Sequence, residues 1–386
     1  MAAGWQAPTV VEEQLYHARA RGDLGGYLSV LAGAELYMPI RKDEADQVVS
    51  GHRTGYNRVT RAEGPYTVMD VYTRGYLPEA TYGPNALVYD MCTVKWVGEG
   101  WPEYEWWLVV NPGTPVETRF RSVELAAWVR ANAHRVRPLA DHGNRLVTVR
   151  TGHLYGPMAH ALAFGAPLAV LNEAPWNVLR TTFTSYVTDV TVLRDDWGVS
   201  SREEWQAVMA SLLDDKAGVP GASAVLDLRD GLVRQWGRPV DERTLRDALV
   251  EWCRAERLPY ERKQQYLVVA DLILRYEERF RADGLLLPNA YVRSVHGWDY
   301  GRAVSVARWG LAAQLCDRAT AEQLVLRAGA LCHARYTSWL DFSAGYVLGR
   351  MLHFDNGEFG ERYTDSLLAH RLLVDEAESP WRHIAY

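Results

Sequence analysis

The stretch QYLVVADLILRYEERFRAD, Gln265 to Asp283, reads as an amphipathic helix and sets the class of the larger part of the chain. Its residues Tyr266, Val269, Leu272, Ile273, Tyr276 and Phe280 recur at three- and four-residue steps, so they share one face. Glu277 and Arg281, one turn apart, are placed to pair on the wet side. Gly284 follows Asp283 and suits the left-handed position that ends many helices. The periodicity recurs on both sides. Val199 to Asp214 and Asp241 to Arg257 predict two more helices, the first capped by Ser200 ahead of Glu203 and Glu204. Downstream, Trp298 to Gly310 and Phe342 to His353 predict another two. Ser338 and Asp341 are spaced as an N-terminal cap of the last.

Upstream the pattern changes. Val10 to Ala20 and Leu24 to Leu31 predict two short helices. Glu35 to Ile40, Tyr66 to Tyr72 and Trp106 to Val110 predict strands. The last shows no polar alternation, so both of its faces should be covered. It runs into Asn111-Pro112-Gly113, where proline fixes φ and glycine accepts a positive φ, the makings of a tight turn. Ser122 to Ala131 predicts a helix with Ser122 as its cap. The polar run Arg41 to Gly64 predicts an exposed loop, and Asn132 to Asn144, with its histidines, arginines, proline and glycine, predicts a domain boundary. The expected class is α+β: a small mixed α/β domain over residues 1–135, followed by a larger, mainly α-helical domain over 145–386.

Composition narrows the function. The chain has 386 residues, 48% hydrophobic and 23% charged, which is enough to build cores without disulfides or metals. Its net charge of −6 argues against a nucleic-acid binder. The only basic cluster, Arg130, Arg135, Arg137, Arg145 and Arg150, is explained more simply as a solvated linker. Cys92, Cys253, Cys316 and Cys332 are scattered and fit buried thiols in a reducing compartment. The first residues carry neither a basic nor an apolar signal segment. The most apolar stretch, Ala159 to Leu171, is broken by Gly165 and Pro167 and too short to span a bilayer. The expectation is a soluble cytoplasmic protein without membrane contact.

Phosphate-loop, dinucleotide, zinc-protease and serine-hydrolase motifs are absent. His153 and His160 are two helical turns apart, but no third metal ligand accompanies them. No cofactor and no metal site is expected. Ser338, Asp341 and His353 do not make a triad: on one helix, Ser338 and His353 lie roughly 22 Å apart. The last ninety residues are the informative ones. Asp299 and Arg302, at i and i+3, are placed to form a structural ion pair, with Arg308 on the opposite side of their helix. Gly345 and Gly349 clear room for a neighbouring helix. The structural reading of this region is a half-buried pair among core tryptophans, and it is preferred. The sharper reading is a concave pocket of Arg302, Trp309, Trp339, Arg350 and His353 that accepts an anionic or planar group.

These residues also carry a resemblance. Asp195-Asp196-Trp197-Gly198-Val199 with Arg202 and Trp205, then Trp298-Asp299-Tyr300-Gly301-Arg302, Ala307-Arg308-Trp309-Gly310, Ser338-Trp339 and Leu348-Gly349-Arg350 resemble, in order, the bacterial family of unknown function numbered 1266. Ala34 to Pro39, Asn111-Pro112-Gly113 and Leu125-Ala126-Ala127-Trp128 are similar to an SseB-type N-terminal domain, from which the Arg41 to Gly64 insert departs. The resemblance implies a bacterial, actinobacterial-like cytoplasmic protein and supplies no catalytic residue. With the aromatic content, it points first to a non-catalytic protein-binding module with an unidentified protein partner, such as an immunity or adaptor protein of a bacterial conflict or secretion locus. The alternative is an enzyme or small-molecule sensor that binds an anionic or planar ligand in the C-terminal Arg/Trp/His pocket. The discriminating feature is whether Arg302, Arg350 and His353 converge on an open cavity or are paired in a closed core.

Overall fold

The computed structural model describes residues 5–99, 106–136, 144–179, 185–216 and 218–386. The first part runs α1 (Val10–Ala20), α2 (Leu24–Ala32), β1 (Leu36–Arg41), α3 (Lys42–Val49), β2 (Arg61–Glu63), β3 (Tyr66–Thr73), β4 (Leu87–Cys92), α4 (Val94–Glu99), β5 (Trp107–Val110), β6 (Thr118–Arg121) and α5 (Ser122–Asn132). The second part is helical: α6 (Gly156–Ala163), α7 (Ala166–Leu171), α8 (Tyr186–Trp197), α9 (Arg202–Leu213), α10 (Ala222–Trp236), α11 (Glu242–Ala255), α12 (Tyr260–Ala282), α13 (Gly297–Ala312), α14 (Arg318–Arg335), α15 (Trp339–Phe354), α16 (Glu361–Asp375) and α17 (Pro380–His383). The α+β class and its two-part arrangement are therefore as expected. The boundary placed at 132–144 falls mainly on 137–143, outside the described residues.

The sheet has the order β4-β1-β3-β5-β6, with β2 pairing β3. Within the described sheet β3 and β5 pair in parallel, and the other strand pairings are antiparallel. Leu108, Val109 and Val110 of β5 are all fully buried, as the missing alternation required. The strand leaves through Asn111 (φ +50) and Gly113 (φ +75), and the Asn111 side chain accepts the Thr73 N–H at 2.8 Å. Nothing crowds a Cβ at Gly113, so a substitution there meets backbone strain alone. Gly113→Val should cost the sheet unit about 1–2 kcal/mol. Urea denaturation of the variant checks this, and an unchanged midpoint would refute it.

Three local expectations are corrected. Residues 42–49 form a helix rather than loop, and Arg61–Glu63 adds a short strand. Ala45 seats that helix, and the buried Glu44 is satisfied by the Asn57 backbone and side-chain N–H groups at 2.6 and 2.7 Å. Arg121 rather than Ser122 holds the N-cap position of α5, without a side-chain cap; the buried Ser122 hydroxyl instead accepts the Trp106 N–H. Ser201 rather than Ser200 caps α9, with its Oγ accepting from Glu204 N, while the Ser200 N–H donates to the Glu204 carboxylate.

Two large apolar cores result, one on the sheet and one among the helices, beside a small cluster of Tyr37, Leu77 and Tyr89. Helix α8 belongs to both: Tyr186 lies in the first and Leu193 in the second. Tyr186 also donates to Asp46 of α3 at 2.5 Å, and Arg194 donates to the Val49 carbonyl. At the same seam Arg74 pairs with Glu35 and donates to the Glu173 carbonyl. Helix α13 is the centre of the second core, and every residue in it except Arg302 is buried. Among the described residues no helix is long and apolar enough to cross a membrane.

Candidate functional site

The N-terminal end of α13 and the middle of α15 cross closely because glycine removes side chains at the contact. A Cβ at Gly349 would lie 2.6 Å from the Trp298 Cβ and 2.7 Å from the Val295 carbonyl. One at Gly345 would lie 2.5 Å from the Ser294 carbonyl. This approach sets Trp298 and Arg302 of α13 beside Arg350 and His353 of α15. With α8, α7 and α16 they line a cavity of about 710 Å³.

Arg302, Trp309, Arg350 and His353 all face this cavity; Trp339 does not. Trp339 starts the helix that carries Arg350. Its ring stacks on Trp381 at 5.7 Å, its centroid is 4.7 Å from Phe164, and its Nε1 donates to the Ile384 carbonyl. It is a core residue of a different aromatic cluster. Trp197 of α8 and Arg362 of α16 also line the cavity; the sequence marked Trp197 only as part of the family resemblance and did not mark Arg362. They come from elements more than a hundred residues apart, and no local spacing marks them.

The cavity floor is built of donors. Arg302 pairs with Asp299 and lies over the Trp298 ring at 4.4 Å and the Trp197 ring at 5.3 Å. Arg350 is only 7% exposed and lies over the same Trp298 ring at 5.6 Å. It makes no hydrogen bond or ion pair with any described residue. Arg302 Nε, Arg350 Nε and Trp298 Nε1 are all buried without an acceptor among the described residues. Burial pulls the Arg350 guanidinium below its ordinary pKa, and nearby Arg362 adds to that. Burial, then the charge of Arg302, also lowers His353. Acids stand at the mouth: Asp195, tied to Arg194, together with Asp196 and Asp365. A ligand would therefore meet unsatisfied positive donors inside and carboxylates outside.

Two other cavities lack this imbalance. In the cavity between the two parts, Arg74 and Glu35 neutralise each other. The one under residues 284–293 is lined largely by Leu285, Leu286, Leu287 and Leu340. His153 and His160 do not share a helix: His153 precedes α6 and His160 lies within it, 5.6 Å from the His333 ring. Among the described residues, no group of three or more His, Cys, Asp or Glu could hold a metal ion. All four cysteines are free and buried. Ser338 caps α15, accepting the Asp341 N–H.

Arg308, six residues after Arg302 and so about a third of a turn round α13 from it rather than opposite, is 2% exposed and donates to the Pro175 carbonyl at 2.6 Å. Burial pushes its pKa down, opposed by the nearby carboxylate of Asp189. Glu277 is likewise deeply buried rather than on a wet face, although its pairing with Arg281 is present at 3.3 Å.

The motif residues of the resemblance gather around α13, with Trp205 against Gly310 and Gly349 against Trp298. No curated protein and no solved structure matches the chain. Residues 192–386, just over half of the sequence, match the family described as protein of unknown function (DUF1266). The part that builds the cavity from α8 to α16 falls within that match, and on this basis the chain belongs to the DUF1266 family.

Proposed function

We propose that the protein binds a small ligand with an anionic group and a planar group in the cavity between α8, α13, α15 and α16. The observation that carries this is Arg350, a buried guanidinium with no carboxylate, carbonyl or hydroxyl partner among the described residues. A buried cation without a partner costs several kcal/mol, a cost that a bound anion offsets. The indoles of Trp197, Trp298 and Trp309 supply faces for the planar part. Orientation follows from charge: the anion points inward, and hydrogen-bond donors of the ligand point toward Asp196 and Asp365. This favours the sensor or enzyme reading over the protein-binding one, because Arg302, Arg350 and His353 face an open cavity. A bacterial cytoplasmic setting and an SseB-type N-terminal unit accompany the proposal, on the resemblance of the sequence.

Arg350→Met tests it. Methionine fills the stem volume and removes an unpaired charge, so the variant should be as stable as the parent or more so. Thermal denaturation should show the parent stabilised by benzoate or a nucleoside monophosphate more than by inorganic phosphate, and the variant unmoved. A ligand-induced shift that survives in Arg350→Met, or none of the three probes shifting the parent, would overturn the assignment.

A further inference from the structure

On the opposite side of Asp299 from the cavity lies a second polar cluster. Helix α10 opens at Ala222 with Gly221 (φ +88) as its cap, and no side chain caps that end. Ser223, in its first turn and half-buried, has its Oγ 3.0 Å from His296 Nε2. His296 is 5% exposed. Its Nδ1 is buried without a hydrogen-bond partner and faces Asp215 Oδ1 at 3.5 Å and Asp299 Oδ2 at 3.8 Å. Asp299 Oδ2 is buried and unpartnered too. Asp215 sits in the left-handed region (φ +60) and is held there by the Tyr300 hydroxyl and the Arg335 guanidinium.

The proton arrangement follows from these contacts. Two carboxylates beside Nδ1 favour the tautomer that carries its proton there, which leaves Nε2 as acceptor for the Ser223 hydroxyl. In α10 the Ala222 N–H donates to Val219, and the Val225 N–H to Gly221. The N–H groups of Ser223 and Ala224 have no carbonyl partner among the described residues. They are first-turn donors at the positive end of a 15-residue helix, next to the Ser223 Oγ.

We propose that Ser223 and His296 form a nucleophile–base pair that hydrolyses a carboxylic ester, with Asp299 and Asp215 as positioning residues. The Ser223 Oγ bonds to the acyl carbon as its proton moves to His296 Nε2. The oxyanion faces the N–H groups of Ser223 and Ala224. The carbon–oxygen bond to the alcohol breaks, and the alcohol leaves with the proton from Nε2. Water then repeats the sequence: its proton goes to Nε2, its oxygen bonds to the acyl carbon, and Ser223 departs with the proton as the acid is released. The order Asp215–Ser223–His296–Asp299 matches no linear motif, which is why the sequence did not announce it.

A structural role would tie α9, α10, α13 and α14 together without making Ser223 reactive, so covalent chemistry separates the two. The full chain is incubated with a fluorophosphonate probe, and the adduct is located by peptide mass spectrometry. One adduct on Ser223 is expected, absent from Ser223→Ala, whose melting temperature should match the parent because the side chain is small and half-buried. His296→Gln and Asp299→Asn should label about 100-fold more slowly or less. If His296→Gln fails to fold, the comparison of parent with Ser223→Ala still decides. No adduct on the parent under conditions that label a known serine hydrolase, or an adduct that persists in Ser223→Ala, overturns the proposal.

Discussion

Arg229→Ala should destabilise the helical unit by about 3–5 kcal/mol, measured by urea denaturation at neutral pH. Arg229 of α10 and Glu277 of α12 have side chains 3% and 1% exposed. Their two hydrogen bonds measure 2.7 and 3.1 Å. Arg229 also donates to the Val292 carbonyl and lies over the Tyr291 ring, while Glu277 accepts the Val292 N–H at 2.8 Å. The pair therefore fixes the 290–292 segment onto two helices. Alanine removes the guanidinium but leaves the carboxylate inside, with only the partly exposed Arg281 to answer it. The reference is the double variant Arg229→Met with Glu277→Leu. It buries no charge and should recover a large part of the loss. If the double variant is no better than the single one, the loss comes from the backbone contacts at Val292 rather than from a stranded charge.

Helix periodicity was readable in α1, α9, α11 and α12, whereas α10, α14 and α16 were not read from the sequence. The span of α1 and the N-terminal cap of α15 follow directly from spacing and side-chain chemistry. It misplaced side chains on helices covered from several sides. Helix α12 packs against α10, α11 and α15, so Glu277, opposite part of its apolar stripe, is buried all the same. Arg308 is the same case on α13, which has no solvent face. Helix α3 failed for the reverse reason. Five of the eight residues of KDEADQVV are polar, and what seats it is Ala45 together with a carboxylate satisfied 13 residues downstream. That hydrogen bond has no signature in local composition.

The cavity was partly legible for a geometric reason. Arg350 and His353 are one turn apart, and Arg302 lies on the helix that the two glycines admit. Trp339 could not join them, because it stands eleven positions from Arg350 on the same helix, about 16 Å along the axis. The Ser223–His296 contact joins residues 73 positions apart, and only the tertiary fold brings them within 3.0 Å.

Trp205→Ala should cost about 3–5 kcal/mol in the same denaturation assay, and Gly310→Ala about 1–3 kcal/mol. Trp205 is 1% exposed, and its Nε1 donates to the Val306 carbonyl of α13 at 2.9 Å. Its indole occupies the space over Gly310, where a Cβ would come within 2.2 Å of Nε1. The glycine is thus explained by the tryptophan, and the two effects should not add. In a Trp205→Leu background, where the ring is gone, Gly310→Ala should cost far less than in the parent, because its methyl then meets space rather than an indole. It also gains helix propensity of about 1 kcal/mol, which is lost in the parent to the clash. The coupling between the two sites should reach about 1–3 kcal/mol. Additive losses would mean that Gly310 is glycine for a reason other than Trp205, and that the closeness of α9 to α13 does not depend on this contact.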